Sequence, residues 1–181
     1  MDLRIFPWIA GFFVPIGFPY CPSLPVRGIL EPEREDRKMA NVFDTAEYIL
    51  QQLGEMSTMK LQKLCYYAQA WSLVWDDTPL FDEDFQAWAN GPVCPELFAK
   101  TKGKFSVTAA DETGGDGDLT DNQKDTIDHV LEHYGKHNAQ WLSQLTHMED
   151  PWNWARDGVP SGRGCNHVIT KDNIAMYYGG L

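Results

Sequence analysis

Apolar residues recur at helical spacing through most of residues 43–178, and one short stretch changes to strict alternation. Ala46, Ile49, Leu50 and Leu53 form the stripe of a helix predicted over residues 43–53. Asp44 reads as its cap with Glu47 three residues on, Phe43 can staple onto Tyr48, and Gly54 ends it. The next helix starts near Ser57 or Thr58 and reaches Trp75. Leu61, Leu64, Cys65, Ala68, Trp71 and Trp75 make its main stripe; Tyr67, Ala70 and Val74 make a second beside it. A helix apolar over so much of its circumference belongs at the centre of a domain, with its aromatic rings serving the core first.

Between residues 78 and 91 the period shortens, with Phe85, Ala87 and Ala89 alternating with Gln86 and Trp88. This predicts a short strand or hairpin arm closed by the Asn90-Gly91-Pro92 turn. Pro95 suits the first position of a brief helix over residues 95–102. Residues 104–119 read as a loop. Thr120 with Gln123 forms a capping box for a helix packed by Ile127, Val130, Leu131 and Tyr134. Asn138 opens another helix, Asp150-Pro151 a short one, and Thr170 caps the last, packed by Ile174, Tyr177 and Tyr178, after a glycine-rich link over residues 158–164. The fold class expected is mainly α: a compact multi-helix single domain with one small β-hairpin or short two-stranded element.

Length and composition agree with one folded domain. The chain has 181 residues, 43% hydrophobic and 13% aromatic. Residues 39–181 hold 10 basic and 21 acidic side chains, and the formal net charge of the whole chain is −11. Such a surface repels phosphate backbones and anionic membranes, so neither nucleic acid nor a membrane is expected as partner, whereas a basic protein would be drawn to it. Cys21, Cys65, Cys94 and Cys165 are widely separated, which suits free thiols in a reducing cytoplasm better than a zinc site.

Residues 1–38 stand apart from this pattern. The apolar run over residues 5–20 is interrupted by Pro7, Pro15 and Pro19 and is too short to span a bilayer. Of the basic start, uninterrupted apolar core and small-residue cleavage site of a secretory signal, only a weak Arg4 fits. Met39 is expected to be the initiator, residues 39–181 the domain, and residues 1–38 an N-terminal extension of upstream sequence. The competing reading is a tether to a membrane surface.

Candidate chemistry is sparse. Asp125, His129 and His133 share one helix face, but that face lies opposite the apolar stripe and reads as solvated surface. The stretch DETGGDGDLT resembles a calcium loop, yet aligning Gly117 with the obligatory glycine puts Gly114 and Gln123 at ligand positions. Cys94 at a helix start, with His147 as base and Glu149 as orienter, would make a Cys-His hydrolase. No oxyanion-hole pattern accompanies it, and the competing reading has Cys94 as apolar filler and His147 bonding across a turn between helices. No enzyme activity, metal or cofactor is expected.

Four stretches together resemble the Panacea domain family, which includes SocA-like antitoxins and phage-associated GepA-like proteins. They are TAEYIL…MKLQKLCYYAQAW, PLFDEDFQAWANGPVCPELF, LSQLTHMEDPW and ITKDNIAMYY, in family order over about residues 43–178. Tyr66, Tyr67, Gln69 and Trp71 match the long-helix signature, and Trp88, Gly91, Pro92 and Pro95 the GPV corner. Leu145, Thr146, His147, Glu149, Pro151 and Trp152 match the last motif. The resemblance implies a mostly helical antitoxin that neutralises a toxin encoded nearby by direct contact, and one family member acts as an adaptor to the ClpXP protease. Delivery of a toxin to such an AAA+ protease is therefore the alternative function, and the Cys94–His147 hydrolase a further one. Gln86-Ala87 departs from the acidic residue common before the Ala-Trp pair, and Cys94 from the usual aliphatic. Residues 1–38 do not form a helix-turn-helix, so operator binding is not expected.

Overall fold

The computed structural model describes residues 40–111 and 118–181. The expectations for residues 1–39, and the comparison of the glycine-rich stretch near residue 115 with a calcium loop, lie outside those residues.

Helix α1 (Val42–Leu53) starts one residue earlier than expected, and its cap lies three residues earlier. Asn41, not Asp44, is the cap: its side chain accepts from the Phe43 and Asp44 amides, and the Asp44 carboxylate accepts from the Asn41 amide at 2.7 Å. Val42, fully buried, agrees with the earlier cap, because it places that side chain in the first turn of the helix and in the core. The two-residue strand β1 (Met56–Ser57) leads into α2 (Thr58–Trp75), capped by Ser57.

Helix α2 is the axis of the domain. Every residue from Leu61 to Ser72 is buried. Helices α4 (Asp121–Tyr134), α5 (Ala139–Met148) and α7 (Lys171–Tyr178) pack on it, as does α1, so no side of its middle reaches water. The capping box of Thr120 and Gln123, the Asn138 cap and the Thr170 cap form as their residue types predict. Asp150-Pro151 opens α6 (Asp150–Arg156).

The β structure exceeds the single element expected. Strands β2 (Phe85–Trp88) and β3 (Gly91–Val93) form the predicted hairpin, after which α3 (Pro95–Thr101) begins at proline. A strand between the glycine-rich link and α7, β5 (Val168–Ile169), adds to the other edge of β2 and gives the order β3-β2-β5. Within the stretch expected to be loop, β4 (Ser106–Val107) pairs antiparallel with β1, and a 3-10 turn covers Ala109–Asp111. Both additions are two residues long and exist only as tertiary pairings, which local periodicity does not register.

Candidate functional site

The three hallmark motifs converge on the β2–β3 hairpin. Its carbonyls are held by side chains from three helices. Arg156 of α6 donates to Ala87 O at 2.6 Å and Trp152 Nε1 to Trp88 O at 3.0 Å. Ser143 of α5 donates to Asn90 O at 2.9 Å. Lys63 of α2 donates to Pro92 O at 2.8 Å, and the Gln62 amide both donates to Cys94 O and accepts from Cys94 N, at 3.2 and 2.8 Å. A bond from a charged donor such as Arg156 or Lys63 is worth about 1.5–3 kcal/mol.

Gly91 sits where α2, α5 and the hairpin meet, with φ +97°. A Cβ there would lie 2.5 Å from Thr146 Oγ1 and 2.9 Å from Lys63 Cε. Glycine is therefore required twice at this position, for the backbone conformation and for the close approach. The corner that reads GPV in sequence is a packing node in the fold.

A second polar knot lies deeper. The Glu149 carboxyl, at the junction of α5 and α6, accepts from Tyr67 Oη at 3.1 Å and Tyr178 Oη at 2.8 Å. Burial pushes its pKa up to about 8, against the pull of those two hydrogen bonds. Tyr67 stacks on Tyr134 at 4.1 Å, and Tyr134 Oη accepts from Trp71 Nε1 at 3.2 Å. Tyr66 packs edge-on against Tyr67 and Phe85, with its hydroxyl lacking a well-formed hydrogen bond. Burial also pushes the Lys63 ammonium down to about 7. Gln69 binds the loop after α2 as Gln62 binds the hairpin, donating to Phe81 O and accepting from the Leu80 and Phe81 amides.

The hallmark residues are thus mostly interior. Tyr66, Tyr67, Gln69, Trp71, Gly91, Pro92, Thr146, Glu149, Pro151 and Trp152 are buried; Trp88, Pro95, Leu145 and His147 are half-buried. Lys63, Gln62 and Arg156 were not singled out by sequence, though a lysine and a glutamine inside an otherwise apolar helix were the signal for the first two. Arg156, 2% exposed, bonds only carbonyls, of Ala87, Val159, Pro160 and Arg163, and covers the Trp152 ring at 4.6 Å.

Two surfaces are built on this framework. At the hairpin, Trp88 meets Phe98 edge-on at 4.8 Å beside a hollow of about 220 Å³. At the far end of α2, Trp75 stacks on Trp71 and lies 6.2 Å from the His129 ring of α4. Along α4, Asp121, Asp125, Asp128 and Glu132 are all exposed, so an aromatic edge adjoins an acidic helix face.

The proposed thiol–imidazole pair has no such support. Cys94 caps α3 without a side-chain cap bond; its thiol donates to Glu96 at 3.2 Å, and burial is the main cause pushing its pKa up to about 12. That environment opposes the thiolate a nucleophile needs. His147 stacks on Trp152 at 4.2 Å, and burial lowers its pKa, aided by Lys63 and Arg156. Glu149, the supposed orienter, is bound by tyrosines. His129 Nδ1 lies 2.8 Å from its own helix carbonyl at Asp125, on the solvent side as expected. Among the described residues no three His, Cys, Asp or Glu side chains are grouped to hold a metal, and no helix is long and apolar enough to cross a membrane.

Among known families, the model described as antitoxin SocA-like, Panacea domain, matches residues 61–153. The match spans α2, the hairpin, α4 and α5, and ends within α6. No curated protein and no solved structure matches the chain.

Proposed function

The chain belongs to the family of SocA-like antitoxins defined by the Panacea domain, and on that premise we propose that it neutralises a cognate protein toxin by binding it directly. The family match over residues 61–153 carries this reading. The toxin is a basic protein encoded nearby, and it is met in the cytoplasm.

The hallmark residues serve as framework in this reading: their side chains bond one another and the hairpin backbone, so substituting them disturbs the fold before any contact. The toxin docks instead on the exposed α4 face. Asp121, Asp125, Asp128 and Glu132 supply a field that speeds capture of a basic partner, and Trp75 supplies an apolar anchor that slows its release. Toxins that act on RNA or ribosomes tend to be basic, because their targets are polyanions. Binding masks the toxin's active surface; no bond is made or broken by side chains of this protein.

Co-expression tests the proposal. Growth arrested by the product of the adjacent open reading frame should recover when this protein is supplied, and the two should co-purify. Recovery that disappears in cells lacking ClpXP-type proteases would mean delivery for degradation rather than masking. Absence of both rescue and co-purification contradicts the proposal.

A further inference from the structure

One face of the domain carries both a hollow and a projection of matching size. The hollow is walled by Met59, Lys63, Trp88, Val93, Phe98 and Thr101, and measures about 220 Å³. A cavity of about 150 Å³ is enough to admit a benzene ring. The projection is Phe105, 87% exposed, the most exposed large apolar side chain among the described residues. It is held at the rim of the hollow, because its carbonyl accepts from the amide of Thr58, the neighbour of Met59, at 3.0 Å. The β1–β4 pairing of Ser57 with Ser106 fixes the backbone immediately beyond it. An aromatic ring presented to water by a paired strand is an interaction element rather than a stray exposed side chain.

We propose that the occupant of this hollow is Phe105 of a second copy of the chain, exchanged reciprocally about a two-fold axis. A closed dimer of this kind uses the same patch twice, so it needs a projection and a receptor on one face, and both are here. A foreign partner filling the hollow would leave Phe105 without a receptor. The charges point the same way. A chain of net charge −11 repels its own copy over most of its surface. This face differs: Lys100, Lys102 and Lys104 precede Phe105 in sequence and are exposed, as are Glu55 and Glu96. Three of the ten basic side chains in residues 39–181 thus offset the net negative charge on this face; Lys104 is paired with Asp111 at 2.7 Å and Lys100 lies over the Phe43 ring at 5.8 Å, which leaves Lys102 to meet a carboxylate of the second copy. The proposal uses neither Trp75 nor the acidic side of α4, and it does not depend on the antitoxin reading.

Sedimentation of the full chain, at concentrations of ~1–100 µM and at low and high salt, reads the association. A dimer is expected, and the salt series separates its apolar contact, which survives screening, from its charge pairs, which weaken. Phe105→Ser should weaken it by about tenfold or more, with the thermal midpoint unchanged at concentrations low enough that both proteins are monomeric, because the ring is 87% exposed. Met59→Trp fills the hollow and should weaken it similarly. Mixing the two variants should recover part of the association, since the mixed dimer regains one of the two reciprocal contacts. A protein that is monomeric throughout, or a dimer indifferent to Phe105→Ser, overturns the proposal. So does a monomer whose Phe105→Ser variant loses toxin binding, which would give the hollow to the toxin.

Discussion

Tyr178, on the last helix, donates a 2.8 Å hydrogen bond to the buried carboxyl of Glu149, and so fastens α7 to the junction of α5 and α6. That carboxyl is raised from 4.5 to about 8 by burial. A carboxyl with a raised folded pKa costs nothing below its unfolded value, because both states are then protonated. As pH climbs from about 4.5 to about 8 the unfolded chain ionises first, so stability falls through that window. The slope from this group approaches ~1.4 kcal/mol per pH unit. Glu149→Gln keeps an acceptor for Tyr178 and removes the titration. Urea unfolding at several pH values should therefore show the wild type losing stability relative to the variant between pH ~5 and ~8. A pH-independent difference between the two would contradict the assignment.

Gly91→Ala should destabilise the domain by about 2–4 kcal/mol, from a φ of +97° imposed on an L-residue and a Cβ pressed against Thr146 and Lys63. Denaturant midpoints read this directly. A loss under ~0.5 kcal/mol would mean that the hairpin shifts freely, and with it the framework role given to the GPV corner would fail.

Gln69→Leu is nearly isosteric but strips partners from the amides of Leu80 and Phe81 and from the Phe81 carbonyl. The expected cost is about 2–4 kcal/mol, more than an exposed glutamine could cause. Hydrogen exchange at Leu80 and Phe81 should accelerate in the variant while the α4 amides change less.

Reversing Asp125, Asp128 and Glu132 to lysine tests the acidic docking face. Association with the toxin should slow by about tenfold or more at low salt, with dissociation changed far less and the salt dependence flattened. An unaltered association rate would place the toxin elsewhere on the surface.

Cys94→Ala should leave neutralisation intact. The thiol is buried and held protonated beside Glu96, so in the native protein it should also resist iodoacetamide. Loss of rescue in a variant that still folds would revive the nucleophile reading.

How far the sequence carried depended on whether a feature was local. Periodicity located all the major helices, and residue chemistry placed the Thr120, Asn138 and Thr170 caps, because a cap bond spans three residues. The same logic misplaced the start of α1, since Asn41…Asp44 and Asp44…Glu47 are equally good capping boxes and only the burial of Val42 decides between them. Strand β5 was illegible: His167, Val168 and Ile169 become a strand edge only by meeting β2, some 80 residues away. The motif residues were visible as motifs, but their work was not. That Lys63 bonds Pro92 O, that Arg156 reaches Ala87 O, and that Glu149 binds two phenols follows from distant elements converging rather than from neighbouring sequence.

The most direct test is to titrate purified protein into the purified toxin while assaying the toxin's own activity, with no ATP and no protease present. Activity should fall to background near equimolar protein, because occupancy of the toxin's surface is sufficient. Activity that persists under a saturating excess, although the two proteins bind, would contradict neutralisation by masking.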